Sequence, residues 1–211
     1  MVEKKGMKVE ILITEGLDYF SINHTPAAIE KLSHFMRELE RWNRHVNLTA
    51  RHPIDWMVRE LLYDAFFLFD AIKGAASVLD VGSGSGILAI PIALLESHRQ
   101  VFSVDRTLKK IQFQRHIKRD LDITGLNPIH GRVEELDPLQ VDALLAKGFG
   151  PARSILEQAG RHVKKGGCAF LLKGRSEKAC VHEGFSLEQT TGYSLPGSPK
   201  DYRLFTYKKV S

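Results

Sequence analysis

Cysteine is nearly absent from this chain of 211 residues: Cys168 and Cys180 are the two it carries. They form neither a disulfide framework nor a thiolate metal site, and such usage fits a reducing compartment. Nine histidines are scattered without ligand spacing, so no metal is expected. The longest apolar run, Ile87 to Leu95, falls far short of the roughly 20 residues that span a bilayer. The segment Met1 to Glu10 is charged and lacks the apolar stretch of a signal peptide. No repeat or low-complexity tract is found. These absences argue against a stapled secreted scaffold, a helical membrane protein and a repeat array. The expectation is a soluble, cytoplasmic protein, monomeric and without a metal. What is present is ordinary for a globular domain, 43% hydrophobic and 26% charged. The net charge of +5 leans toward polyanionic partners but does not single them out, because many soluble proteins are mildly basic.

Order along the chain is more informative. From Thr25 to about Arg44 the pattern is helical: Thr25 can cap the start, and Pro26 takes the first helical position, where no N–H is needed. Ile29, Leu32, Met36, Leu39 and Trp42 recur at three- and four-residue steps and predict one buried stripe. A second helical stretch, Ile54 to Ile72, ends before Lys73-Gly74. Residues 1–74 thus read as a helical cap on a main domain of residues 75–211, the two packed as one unit. After Gly74, Ser77–Val81, Gln100–Asp105, Val141–Ala146 and Cys168–Lys173 read as strands. Ile87–Leu95, Thr107–Leu121 and Ala152–Val163 read as helices between them, and Tyr202–Val210 as a late antiparallel strand. This alternation predicts an α/β fold: a doubly wound, mostly parallel, Rossmann-like sheet with an N-terminal helical extension. Ligands on such sheets bind beyond the carboxyl ends of the strands.

The first strand runs into Asp80-Val81-Gly82-Ser83-Gly84-Ser85-Gly86. Close glycines let backbone turn sharply against a ligand, and the plain alternative is a tight strand-to-helix turn. Two acids sharpen the reading. A dinucleotide loop normally enters through apolar residues, whereas Asp80 suits a ligand bearing an ammonium group, such as the methionine end of S-adenosylmethionine. Asp105 ends the second strand, where a carboxylate can accept from both ribose hydroxyls. At a third strand end Val133 can pack on adenine and Glu134 accept from its amine, unless Glu134 is a solvated loop charge. A nicotinamide site is the minor alternative.

Methyl transfer is an in-line displacement whose main requirement is alignment. The end of the fourth strand, Ala146-Lys147-Gly148-Phe149, offers no cysteine for cytosine carbon methylation. It also lacks the Asn/Asp-Pro-Pro-aromatic motif common in exocyclic amine methylation. Guanine N7 carries a lone pair and needs no general base, and a cation at O6 can orient the ring. Lys147 is the candidate; the alternative is a snorkelling surface lysine. For phosphates, Lys173 and Arg175 lie at the end of the fifth strand, and Arg115 and Arg119 lie on a basic helix that can equally be a solvated face.

Together these motifs resemble the glucose-inhibited division protein B family, the small-subunit ribosomal RNA guanine-N7 methyltransferases, over nearly the whole chain. The resemblance rests on Trp42-Asn43 with Asn47-Leu48-Thr49, on Leu79 to Gly86 followed by Ile90-Pro91, and on Asp105 with Lys109, Lys110 and Phe113. Arg132-Val133-Glu134-Glu135, Leu171-Leu172-Lys173-Gly174 and Leu195-Pro196-Gly197 complete it. It implies an S-adenosylmethionine-dependent methyltransferase fold with Gly82, Ile87, Val133 and Glu134 at the cofactor. It implies ribosomal RNA or the small subunit as partner. It also implies that Trp42, Asn43 and Asn47 brace the cap, although Asn47 can alternatively be a turn residue. Three departures surround the expected acceptor pocket. Lys147 stands where the family has arginine, and lacks its planar fork. Glu60-Leu61-Leu62-Tyr63-Asp64 replaces His-Leu-Leu-Asp-Ser, and Ile87-Leu88-Ala89 replaces a bulky-Pro-Gly turn. A diverged paralogue that binds cofactor and RNA with altered or absent catalysis is the alternative.

Overall fold

The computed structural model describes residues 2–211, with side chains from Lys8 onward. The charged segment Met1–Glu10 therefore lies partly outside the described residues. Helix α1 (Val2–Tyr19) was not anticipated; Val9, Leu12, Ile13 and Leu17 supply its buried stripe. A Cβ at Gly16 would overlap the Tyr63 ring, so glycine there lets Tyr63 approach and donate to the Leu12 carbonyl at 2.5 Å. Helix α2 (Pro26–Asn43) starts as expected, with the Thr25 hydroxyl accepting from the Ala28 N–H and proline in the first turn. Leu32, Met36 and Leu39 are fully buried, with Ile29 and Trp42 packed partly against the same core.

Asn43 closes the following loop: its buried Oδ1 accepts from the N–H groups of Leu48 (2.8 Å) and Thr49 (3.0 Å). Asn47 is exposed instead. The second helical stretch is α3 (Ile54–Met57), a π-helical turn over Val58–Leu62, and α4 (Tyr63–Ala71). A wide turn inside a helix re-aims the side chains that follow it, and such turns recur at functional sites. Here it carries Glu60 and precedes Asp64, both buried.

Seven strands form one sheet in the order β3-β2-β1-β4-β5-β7-β6. They are β1 (Ser77–Val81), β2 (Gln100–Asp105), β3 (Leu126–His130), β4 (Val141–Lys147), β5 (Val163–Gly174), β6 (Phe185–Ser194) and β7 (Asp201–Lys209). The first five are parallel, and β7 inserts antiparallel between β5 and β6. Helices α5 (Ala89–Leu95), α6 (Leu108–Asp120) and α7 (Ala152–Ala159) make the crossovers. The expected bounds of β1 and β2 hold to the residue. The expected Ile87 helix begins only at Ala89, and the Ala152 helix ends at Ala159 in a 3-10 turn.

One core lies between the sheet and the N-terminal helices: Leu12, Leu32, Phe35 and Phe66 meet Phe113, Leu145 and Phe170 there. Trp42 adds an edge contact with Phe113 at 5.5 Å and stacks on His116 at 5.2 Å, tying α2 to α6. Truncating a fully buried ring such as Phe113 would cost roughly 3–5 kcal/mol. A second core lies under α7 on the other face, around Leu144, Ile155 and Phe205. No described helix is long and apolar enough to cross a membrane, and no metal-holding group of side chains occurs among the described residues.

Candidate active site

Strand order reverses between β1 and β4, and the residues that follow these strands meet there. The turn after β1 is held from three directions. The Ser83 N–H donates to the Val104 carbonyl at 3.0 Å, and the Gly84 N–H donates to Asp105 Oδ2 at 2.9 Å. Buried Gln114 of α6 donates to Ser83 Oγ and to the Gly84 carbonyl, both at 2.9 Å, while accepting from Ser103 Oγ at 2.5 Å. Sequence reasoning missed Gln114. Its signal was a polar residue on the same helix stripe as Ile111 and Ile117. Gly82, Gly84 and Gly86 all have positive φ, which a Cβ would strain, and at Gly82 a Cβ would also overlap the Phe149 ring.

Asp80 is 2% exposed, and its Oδ2 has no hydrogen-bond partner. Burial pushes its carboxyl up to about 8, with nearby Asp105 adding to the rise; the Ala89 N–H and the Lys147 cation oppose it. A buried, half-unpartnered acid beside a glycine turn is a built demand for a donor, and an ammonium meets it. Asp105 spends its two oxygens on Gly84 and on the Thr107 N–H (2.8 Å), with Lys110 3.8 Å away.

A cavity of about 480 Å³ opens beyond β1, β2 and β4. Of the expected cofactor residues, Gly82, Asp105, Val133 and Glu134 line it, together with Lys110, Arg132, Phe149 and Gln158. Asp80, Gly84, Gly86 and Ile87 are not among its lining residues, and half-buried Ile87 packs against the first core. Val133 is buried. Glu134 is exposed and pairs with Arg132 at 3.3 Å; its own backbone N–H and that guanidinium hold its carboxyl below the usual range. The residues fit S-adenosylmethionine: an orphan acid for the ammonium, glycines for close backbone approach, and a carboxylate and an apolar wall for the nucleoside.

The expected cation is arranged differently. Lys147 at the end of β4 pairs with Asp64 Oδ2 at 2.5 Å and donates to the Glu60 carbonyl at 3.1 Å. The other Asp64 oxygen accepts from Tyr193 at 2.8 Å, and Glu60 Oε2 accepts from Tyr202 at 2.7 Å with Lys200 at 3.6 Å. Burial raises the Glu60 carboxyl, but hydrogen bonds from Ser198 and Tyr202 and the Lys200 charge bring it below its usual value. Lys147 is thus a committed member of a buried network, rather than a free cation on the cavity wall. Two of the sequence departures, Lys147 and the Glu60–Asp64 stretch, prove to be one contact.

The expected phosphate residues differ in their surroundings. Lys173 is 6% exposed and its ammonium donates to the Gly150 carbonyl; burial lowers its pKa. Its place on an inner strand turns it under the Gly148–Gly150 loop, so it is no surface contact. Arg175 is exposed and pairs with Asp201 at 2.8 Å. Arg115 reaches the Pro128 carbonyl at 3.5 Å. Arg119 is exposed near the far end of α6, ~17 Å along the helix from its site-proximal start.

The doubly wound fold, with a cavity beyond the carboxyl ends of its parallel strands, is that of the S-adenosylmethionine-dependent methyltransferase class. A match to the family described as rRNA small subunit methyltransferase G spans residues 28–196, and the chain belongs to that family. It is 32% identical to the ribosomal RNA small subunit methyltransferase G of Legionella pneumophila (strain Corby) over 194 residues, 90% of each chain. It is 32% identical to the protein of that name from Geobacter sp. (strain M21), covering 89% of this chain and 91% of that one. The fold is similar to a crystal structure of a SAM dependent methyltransferase from Aquifex aeolicus. There the TM-score is 0.56 at 12% identity, covering 83% of this chain and 97% of that one.

Proposed function

We propose that this chain transfers a methyl group from S-adenosylmethionine to guanine N7 of small-subunit ribosomal RNA. The observation that carries the cofactor half is the Asp80 carboxylate, buried beside the glycine turn with one oxygen unpartnered. When bound, the cofactor supplies an electrophilic methyl on a sulfonium. Asp80 would hold its ammonium, Asp105 its ribose, and Val133 and Glu134 its adenine. Gly82, Gly84 and Gly86 keep the backbone turned, and Ile87 supports that turn from the core side.

The acceptor half rests on the family and on what the cavity wall contains. Among its described lining residues there is no cysteine and no histidine. Such a wall suits a nucleophile that arrives with its own lone pair, which guanine N7 does. The residues here then supply alignment and exclusion of water rather than proton transfer. Lys147 sits at the switch point one residue before the lining residues Gly148 and Phe149, so its pair with Asp64 would fix the end of β4 beside the acceptor, as a positioning residue.

The test is methylation of small ribosomal subunits from a methylase-deficient strain with radiolabelled S-adenosylmethionine, the product base being identified by mass spectrometry. N7-methylguanosine at one site is expected. Label in another base would overturn the acceptor assignment, and no label despite cofactor binding would overturn catalysis.

A further inference from the structure

One basic stretch of the chain has been given no role so far. Residues 41–59 hold Arg41, Arg44, Arg51 and Arg59 with His45 and His52 against a single acid, Asp55. Asp55 is itself matched by Lys8 at 2.8 Å, while acids outside the stretch pair with Arg41 (Glu38, 2.6 Å) and Arg59 (Glu15, 3.5 Å). Within this stretch His52 stacks on Trp56, ring centroids 3.7 Å apart and planes within 26°. Lys200, from the turn between β6 and β7, lies 5.3 Å from the centre of the Trp56 ring. Beside the stack is a pocket of about 230 Å³ lined by Arg44, Arg51, His52, Asn43, Met57 and Glu40, the last paired with Arg44 at 3.7 Å.

A chain of contacts links this surface to the active site. Gly148 and Phe149 line the cofactor cavity; Lys147 beside them donates to Glu60; Glu60 faces Lys200; and Lys200 covers Trp56. Stacked rings flanked by cations are what a single RNA strand requires, ring faces for bases and charges for phosphates. Sequence-specific RNA recognition mostly targets unpaired segments, whose bases can be splayed onto such platforms. We propose that Arg51, His52, Trp56 and Lys200 form a docking track for the unpaired nucleotides flanking the methylated base. The track rests on the RNA-methylating reading and names where that RNA lies. It is separate from Lys173, which is buried, and from the far end of α6.

The experiment uses the full chain with Arg51→Gln and His52→Ala combined, both exposed positions outside the Lys147 network. Two probes serve: small subunits from the methylase-deficient strain for kinetics, and oligouridylate for direct binding by anisotropy. The expected result is a KM for subunits raised at least tenfold with kcat within about twofold, and a matching loss of oligouridylate affinity. S-adenosylhomocysteine affinity stays unchanged. The one lost phosphate contact, at Arg51, lowers the slope of log affinity against log salt by about 0.7. In a Trp42→Phe background, oligouridylate quenches the remaining Trp56 fluorescence, and His52→Tyr keeps the affinity that His52→Ala loses. Unchanged KM, affinity and quenching in a protein that still methylates subunits would overturn the track alone. A wild-type protein that binds cofactor but neither methylates subunits nor binds oligouridylate would overturn the RNA reading and the track together.

Discussion

The two sides of the switch point follow opposite electrostatic plans. On the side of the glycine turn, Asp80 is buried with an oxygen left unpartnered, and its carboxyl is pushed up to about 8. On the side of the helical extension, Lys147, Asp64, Glu60, Tyr193, Tyr202 and Lys200 satisfy one another. The first arrangement is destabilising until a cation arrives, which converts binding into neutralisation. The second is closed, so it holds the end of β4 in one position. A site that must recognise a small cationic ligand keeps a demand open; a site that must align a large acceptor gains from being fixed.

Breaking the open side has the largest expected effect. Asp80→Asn removes the charge that an ammonium would meet, and affinity for S-adenosylhomocysteine should fall by about 100-fold, roughly 2.7 kcal/mol. The same change should stabilise the empty protein at neutral pH. The Asp80 carboxyl is held well above its ordinary 3.8, so between about pH 4 and 8 the folded state binds a proton that the unfolded state releases. Its contribution to stability is therefore full below about pH 4 and is lost as pH rises through about 8. Wild-type cofactor affinity should accordingly rise between pH 6 and 8, with proton release, while that of Asp80→Asn stays flat. Calorimetry in buffers of different ionisation enthalpy reads both, and an unchanged affinity would remove Asp80 from the site.

On the closed side, Lys147→Ala should show the reverse pattern. It leaves the Asp64 carboxylate, 1% exposed, without its cation, at a cost on the order of 3 kcal/mol. Methylation should be lost while cofactor affinity stays within a few-fold. Lys147→Ala with Asp64→Ala should cost less than the two single changes summed, because the double variant leaves no stranded charge. Urea unfolding of the four proteins gives the coupling energy, and strict additivity would show that the pair is not a unit.

The same contrast governs what the sequence revealed. The parallel sheet and its glycine turn were legible because each rests on local signals: apolar runs of strand length, then Gly82, Gly84 and Gly86 beyond Asp80. Strand β6 was not, because its residues from Ser186 to Thr190 are exposed, so no alternation marks them. Helix α1 was hidden by the charge of its first half. The Lys147–Asp64 pair spans 83 positions, and no spacing rule connects such partners. The burial of Lys173 was not legible because position at a strand end says which side of the sheet a residue reaches, but not whether a loop folds over it.

A gentler cut in the closed network tests whether its hydroxyls matter as its charges do. Tyr193→Phe removes one donor to Asp64 and keeps the ring stacked on Phe67, centroids 3.8 Å apart. A hydrogen bond to a charged group is worth about 1.5 kcal/mol at the low end, and the buried acceptor keeps Lys147 as its partner. The expected loss is ~3–6 °C in Tm for a domain of this size. Turnover should fall less than for Lys147→Ala. A loss as large as that of Lys147→Ala would mean that Tyr193, not the ion pair, fixes the end of β4.

The smallest effect is expected on the open side, at its second acid. Glu134 lines the cavity but is exposed, and Arg132 already faces it at 3.3 Å. Water and that guanidinium satisfy it whether or not a ligand is present, so little is gained by adding an adenine amine. Glu134→Gln keeps an acceptor oxygen at the same place and should lower cofactor affinity by less than about tenfold, with stability unchanged within ~0.5 kcal/mol. The contrast with Asp80→Asn is the decisive quantity. Both changes replace one carboxylate by its amide in the same site, and they differ mainly in burial. If the two lose affinity equally, burial does not set the binding energy, and the cavity recognises its ligand by direct contacts alone. If Asp80→Asn costs at least ten times more, the open demand beneath the glycine turn is what holds the cofactor.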